Sequence, residues 1–225
     1  MNWFYNTLTS TIGRKVLMAL TGLFLILFLI VHLAGNMQLF EPDGGEAYNR
    51  YTFFMTHNPV IKLVSYILYI SILLHVILSV YITFKNWQSR PVGYAVNNRS
   101  ANSTWSSRNM GLLGTLIFIF LAIHLQNFWY RMHWGMEASV MYNGVKYKDL
   151  YTEVLYAFQN PWIVGLYVIG MAGLGYHLVH GFQSTFQTLG MEHRKYTPLV
   201  KVLGFLFAII VPALFALMPI YFYFR

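Results

Sequence analysis

The run LMALTGLFLILFLIVHLAG, from Leu17 to Gly35, contains no charged residue, and its only polar side chains are Thr21 and His32. A helix of about 20 such residues crosses the ~30 Å hydrocarbon core of a bilayer. In lipid every backbone polar group must be satisfied within the protein, which narrows the local structure to helix or closed barrel. Four further apolar runs follow, separated by polar segments. Composition agrees, with 57% hydrophobic and 10% charged residues, where a soluble domain carries roughly 25% charged. The expectation is an all-α membrane protein, one domain over residues 1–225. Its five transmembrane helices should run from about Gly13 to Phe40, Pro59 to Trp87, Asn109 to Trp134, Pro161 to Leu189 and Leu199 to Tyr223.

The segment Met1–Ser10 is polar and aromatic, and the first apolar run is too long, and too lacking in a cleavage-type end, for a signal peptide. It is expected to remain as the first span. Pro212 and Pro219 predict kinks in the fifth span. Trp3, Tyr5, Trp87, Trp105, Trp129, Tyr130, Trp134 and Trp162 fall near span ends, as an interfacial aromatic belt requires. Gly165, Gly170, Gly173 and Gly175 give the fourth span a small-residue face on which a helix or a flat macrocycle could lie.

The net charge of +8 comes from 15 Lys+Arg against 7 Asp+Glu. The cations flank the spans instead of forming an arm or stripe, which argues against nucleic acid. The side holding the N-terminus carries Arg14, Lys15, Lys85, Arg90, Arg99, Arg108, Arg194, Lys195 and Lys201; the other carries Arg50, Lys62, Arg131, Lys146, Lys148 and Arg225. The positive-inside rule then predicts a cytoplasmic N-terminus. No cysteine is present, which excludes thiolate metal sites, iron–sulfur ligation by this chain and covalent haem attachment through CxxCH.

Five of eight histidines, His32, His75, His124, His177 and His180, lie inside the spans, where an unsatisfied imidazole is costly. A hydrogen bond to a neighbouring helix would explain any one of them. Their depths suggest more. His32 follows Arg14 by 18 residues and His124 follows Arg108 by 16, so both sit roughly 24–27 Å from the inner edge. His75 follows Pro59 by 16 residues and His177 follows Pro161 by 16, so both sit about 24 Å from the outer edge. Two levels with two imidazoles each suit two bis-histidine haems, each iron taking axial nitrogens from both sides; zinc or copper would draw three or four ligands to one level. The expected arrangement has imidazoles from antiparallel neighbouring helices meeting at each level. His180 shares a helix face with His177, and His177 matches the depth of His75 better. His180 is left for a haem propionate, a quinone or a neighbouring helix. His57, His133 and His193 lie at span ends, where solvation accounts for them.

The segments TGLFLILFLIVHLAGN (Thr21–Asn36), LLHVILSVYI around His75, FLAIHLQNFW around His124 and HLVHGFQSTFQTLG from His177, with Gly181 four residues after the fourth histidine, resemble a known family. It is the di-haem cytochrome b membrane anchor of succinate:quinone oxidoreductases, meaning succinate dehydrogenase or fumarate reductase of the five-helix, single-anchor type. The resemblance implies two haem b groups, with His75 and His177 ligating the haem proximal to an iron–sulfur subunit and His32 and His124 ligating the distal one. It also implies flavoprotein and iron–sulfur partner subunits, menaquinone near the distal haem, and a bacterial cytoplasmic membrane with the N-terminus inside. Arg14, Lys15, Arg108 and Gln183 have the depth for haem propionates, without a positional match to the family. Glu46, Arg50 and His57, in the segment between the first two spans, could bind or protonate a quinone head group; a solvated loop accounts for them equally.

One departure from the family is Gly175, where some fumarate reductases carry a membrane glutamate two residues before the fourth ligand; no Asp or Glu lies mid-span here. Without a phosphate-binding Gly loop or flavin signature, dicarboxylate chemistry would belong to partner subunits. Two other readings remain open: the cytochrome b subunit of a hydrogenase or formate dehydrogenase, and a haem-free five-helix transporter or scaffold whose histidines only form hydrogen bonds.

Overall fold

Five helices of this chain start where a side chain accepts the first free backbone protons. The computed structural model describes residues 2–89, 99–135 and 138–225, apart from the side chains of Phe4, Arg99 and Ser100. Arg90 and the side chain of Arg99, both counted above on the N-terminal side, lie outside the described residues. α1 (Asn2–Thr9) ends at Ser10, whose Oγ accepts from the Gly13 N–H at 2.9 Å and opens α2 (Thr11–Asn36), extended by a 3-10 turn at Met37–Phe40. α3 (Glu46–His57) leads to α4 (Pro59–Gln88), where Asn58 Oδ1 accepts from the N–H groups of Val60 and Ile61 at 2.9 and 3.2 Å. Pro59 at the first helical position has no N–H to satisfy.

The short helices α5 (Arg99–Asn102) and α6 (Trp105–Arg108) precede α7 (Met110–His124), which continues through a π-helical turn (Leu125–Tyr130) into α8 (Arg131–Trp134). β1 (Ser139–Tyr142) and β2 (Val145–Lys148) pair antiparallel, Tyr142 opposite Val145. Their connection, Asn143–Gly144, has φ of 51° and 79°, the left-handed pair that a tight hairpin turn needs. α9 (Leu150–Phe158) follows. α10 (Pro161–Thr188) starts on a second Asn-Pro step, with Asn160 Oδ1 accepting from Trp162 N–H at 3.0 Å, and α11 (Thr197–Phe224) ends the chain.

Five helical stretches are long and apolar enough to cross a membrane: Thr11–Phe40, Pro59–Gln88, Met110–Trp134, Pro161–Thr188 and Thr197–Phe224. Each lies close to the boundaries expected from the apolar runs. α11 passes through Pro212 and Pro219 without a break in its helix, and both prolines are buried.

The packing of these spans sets the geometry of everything inside. α2 packs on α4 and α10, and α7 packs on the same two helices, so the four form a ring in the order α2, α4, α7, α10. α2 and α7 face each other across one diagonal, α4 and α10 across the other, and neither diagonal pair packs closely. α11 lies outside the ring against α10 and α2. Gly170 and Gly173 admit α7: an added Cβ would stand 2.7 and 2.5 Å from side-chain atoms of Phe120 and Leu116. At Gly175 it would meet the Ala208 carbonyl of α11 at 3.1 Å. Three of the four glycines thus receive neighbouring helices and not a macrocycle.

The segment between the third and fourth spans, expected as a polar stretch, is instead an ordered cap. α9 buries Tyr151, Val154 and Phe158 in a cluster with Leu39, Tyr167, Met218 and Phe222. Asn49 on α3 is buried and holds three parts of the cap: its Nδ2 donates to the Tyr142 hydroxyl and to Asp149 Oδ1, each at 3.2 Å, and its Oδ1 accepts from the Tyr151 N–H at 3.0 Å. Burial, with Tyr51 nearby, pushes the Tyr48 hydroxyl up to about 12 from an ordinary 10.0. A phenol whose folded value is raised favours folding below its unfolded value, and that contribution is lost as pH climbs through the folded one. Stability should therefore fall between pH 10 and about 12. A Tyr48→Phe chain should show a flatter decline in thermal unfolding over the same range.

Candidate cofactor site: two histidine pairs in the helical ring

The two diagonals of the ring are where the intramembrane histidines meet. His32 on α2 and His124 on α7 have ring centroids 5.8 Å apart at an interplanar angle of 86°. His75 on α4 and His177 on α10 have centroids 6.4 Å apart at 62°. The pairing by level expected from the sequence is the one observed. The helices concerned differ from expectation: they are parallel partners across a diagonal, because an up-and-down chain makes ring neighbours antiparallel and diagonal partners parallel. Thr21, beside His75, and His32 lie 11 residues apart on α2, which separates the two levels by roughly 16 Å.

These separations fit an ion between the rings. With metal–imidazole bonds of about 2 Å and ring radii of about 1 Å, two imidazoles on one iron stand roughly 6 Å apart between centres. Among the described residues no three His, Cys, Asp or Glu side chains converge, so the donor set at each level is a pair, which matches axial ligation of a macrocycle and not a tetrahedral ion.

One ring of each pair is oriented by a hydroxyl from a helix of the other diagonal. Thr21 Oγ1 on α2 donates to the Leu17 and Met18 carbonyls at 2.9 and 3.0 Å and stands 3.2 Å from His75 Nδ1. With its proton so used, it accepts from Nδ1–H and leaves Nε2 as the free donor atom, the arrangement that fixes a metal-binding imidazole. Tyr167 on α10 stands 3.3 Å from His124 Nδ1, and where its oxygen accepts from Nδ1–H it plays the same part. Their partners lack such an acceptor. The Asn36 amide donates to the His32 carbonyl at 2.8 Å and stays 3.4 Å from its Nδ1, and His177 Nδ1 is buried with no hydrogen bond among the described residues. Thr21 and Tyr167 carry no ligand motif in the sequence; a hydroxyl inside an apolar run is the available signal for each.

The two levels differ in their surroundings. Phe28, Phe215, Phe120, Phe128 and Tyr167 ring the His32–His124 pair. Gly22 and Thr185 lie at the other pair, where a Cβ on Gly22 would touch His75 Cε1 at 3.5 Å and Thr185 Oγ1 at 3.7 Å.

The remaining candidates are dispersed. His180 is half-buried and, among the described residues, makes no hydrogen bond or ring contact. Arg14 donates to the Tyr81 hydroxyl at 2.8 Å and lies over that ring at 4.5 Å, and Lys15 is exposed. Arg108 is turned to the Ser103 carbonyl of its own loop. Gln183 lines a small cavity of about 190 Å³ with Phe186, Glu192 and Lys201. Glu46 and Arg50 serve each other through an ion pair at 2.6 Å, with Arg50 also donating to the Tyr147 hydroxyl at 3.2 Å; the Glu46 hydrogen bond raises the Arg50 guanidinium further above its ordinary value. His57 stacks on Phe53 at 3.9 Å and lines a large groove on the same face. No protein-family model, curated protein or solved structure matches this chain.

Proposed function

We propose that the chain is the membrane anchor and electron-relay subunit of a succinate:quinone oxidoreductase, holding two haem b groups and passing electrons between an iron–sulfur partner subunit and a quinone, menaquinone by resemblance. The observation that carries this reading is the pair of diagonals, each spanned by two imidazoles roughly one iron apart. A haem at each level would supply a one-electron carrier whose potential is set by its axial nitrogens, hydrogen bonding and burial. The chain's own part is to hold the rings: Thr21 and Tyr167 present the Nε2 atoms of His75 and His124, and the phenylalanines around His32 and His124 keep water from that level. The half-buried His180 remains free to hold a propionate or a proton near the inner level. Flavoprotein and iron–sulfur partners would dock on the N-terminal side, placed in the cytoplasm by the excess of cations there, with the spans in a bacterial cytoplasmic membrane.

The test is the haem content of the purified full chain. Two haem b per chain by pyridine haemochrome, with a reduced-state α-band, is the expected result, and copurification with a flavoprotein and an iron–sulfur protein separates this reading from a hydrogenase or formate dehydrogenase cytochrome. A colourless protein from haem-replete cells would leave a scaffold or transporter.

A further inference from the structure

His124 is followed at once by the π-helical turn Leu125–Tyr130, a winding that recurs at functional sites. Asn127 sits on that turn inside the third span, and its Nδ2 is buried with no hydrogen bond of good geometry among the described residues. An amide in that setting is costly unless it is paired. The Asn127 side chain reaches the hydroxyl of Tyr167, which also stands 3.3 Å from His124 Nδ1. Tyr167 is only 5% exposed, which leaves water little access to its phenol. Amide, phenol and imidazole thus form a row, and each link in it has a direction.

Two directions are open to such a row. If the Asn127 amide nitrogen donates to the phenol oxygen, the phenol proton goes to His124 Nδ1, and the imidazole keeps its hydrogen on Nε2, where it cannot bind a metal. Turning the amide over exchanges two ends of equal shape. Its carbonyl then accepts the phenol proton, the phenol oxygen accepts from His124 Nδ1–H, and Nε2 is left as a bare donor atom. The choice between the two rests on the two-haem reading, because His32 and His124, 5.8 Å apart, share one iron only if Nε2 is bare. We propose that Asn127 is a positioning residue for His124: its carbonyl takes the Tyr167 proton and so makes the phenol the acceptor that holds the imidazole hydrogen on Nδ1. Asn127 does for Tyr167 what the Leu17 and Met18 carbonyls do for Thr21. Both levels then use one device, a hydroxyl backed by an amide carbonyl, built once from backbone and once from a side chain.

The first measurement uses the full chain produced without haem and carrying isotope-labelled histidine, with His124 assigned by the signal lost in His124→Leu. Nitrogen NMR should place the hydrogen on Nδ1 in the unmodified chain and mostly on Nε2 in Asn127→Leu. Tyr167→Phe removes the middle of the row, so adding Asn127→Leu to it should change nothing further, which separates a relayed effect from loosened packing. In the haem-loaded chain, Asn127→Leu should speed the transfer of one haem to apomyoglobin about tenfold and leave the other unchanged. If Asn127→Leu does not fold, Asn127→Ala takes its place. Hydrogen on Nε2 in the unmodified chain, an unaltered His124 in Asn127→Leu, or an equal effect of that substitution with and without the phenol would each overturn the role of Asn127. A chain that takes up no haem would defeat the two-haem reading instead, and the position of the His124 hydrogen would still decide this one.

Discussion

On the proposed di-haem reading, a His124→Leu chain is expected to bind one haem b and the parent chain two. Leucine replaces the imidazole with an apolar group of similar bulk, so the contacts of position 124 with Phe120, Phe128 and Tyr167 are largely refilled while the axial nitrogen is lost. The level at His75 and His177 lies roughly 16 Å away on the other diagonal, and none of its ring contacts involves α7. His32→Leu should behave alike, and His75→Leu or His177→Leu should remove the other haem. Absorption and redox titration of the remaining haem check this, and its midpoint should stay near the parent value. His180→Leu should keep both haems; loss of one there with none lost in His177→Leu would reassign the inner ligand. Loss of both haems from all four variants would defeat the pairing of separate levels.

Gly45→Ala should produce a large loss of stability, with the level at His32 and His124 suffering first. Gly45 has φ of +95°, a conformation costing an alanine about 1–2 kcal/mol. Its Cβ would also fall 2.2 Å from Cγ and 2.6 Å from Cβ of Tyr151. Those atoms are the base of a buried side chain and cannot swing aside, and overpacking of this kind adds about 1–3 kcal/mol. Together they correspond to a fall in Tm of roughly 10 °C. Tyr151 belongs to the cluster that also contains Tyr167, and Tyr167 orients His124. Displacement of α9 should therefore loosen haem at the outer level while the inner level, which shares no residue with the cap, keeps its own. A differential scan with absorption read at both haems would detect the order of loss. Simultaneous loss would mean that the cap does not brace one level selectively.

The spans were legible because lipid permits few alternatives: apolar runs of sufficient length, started by Asn-Pro steps at residues 58–59 and 160–161, leave little freedom in where a helix begins. The pairing of histidines was legible for a related reason, since depth along a membrane helix is counted at a fixed rise per residue. Which helices share a diagonal was not, because periodicity within one helix carries no record of its distant partners; the expected antiparallel neighbours are in fact parallel helices across the ring. The cap was hidden in residues 138–158 by short elements of mixed polarity, whose order depends on a single buried amide, Asn49, reaching α9 from more than 100 residues away. Thr21 and Tyr167 read as an ordinary helix residue and an ordinary aromatic until their hydroxyls were seen beside imidazoles. Of the polar residues on the face opposite the N-terminus, Glu46 and Arg50 pair with each other, whereas Lys62, Lys146 and Trp129 line the groove there, which a count of cations and belt aromatics does not show.

The diagonal arrangement also imposes a sequence of events on a ribosome-bound chain. Both histidines of the outer level, at positions 32 and 124, are available once the third span has been inserted, whereas the inner level must wait for position 177. α10 delivers that missing imidazole and, in the same helix, the Tyr167 hydroxyl that steers His124. A nascent chain arrested before α10 would hold an outer couple with one ring free to turn, so arrival of the fourth span is the event that locks both couples at once.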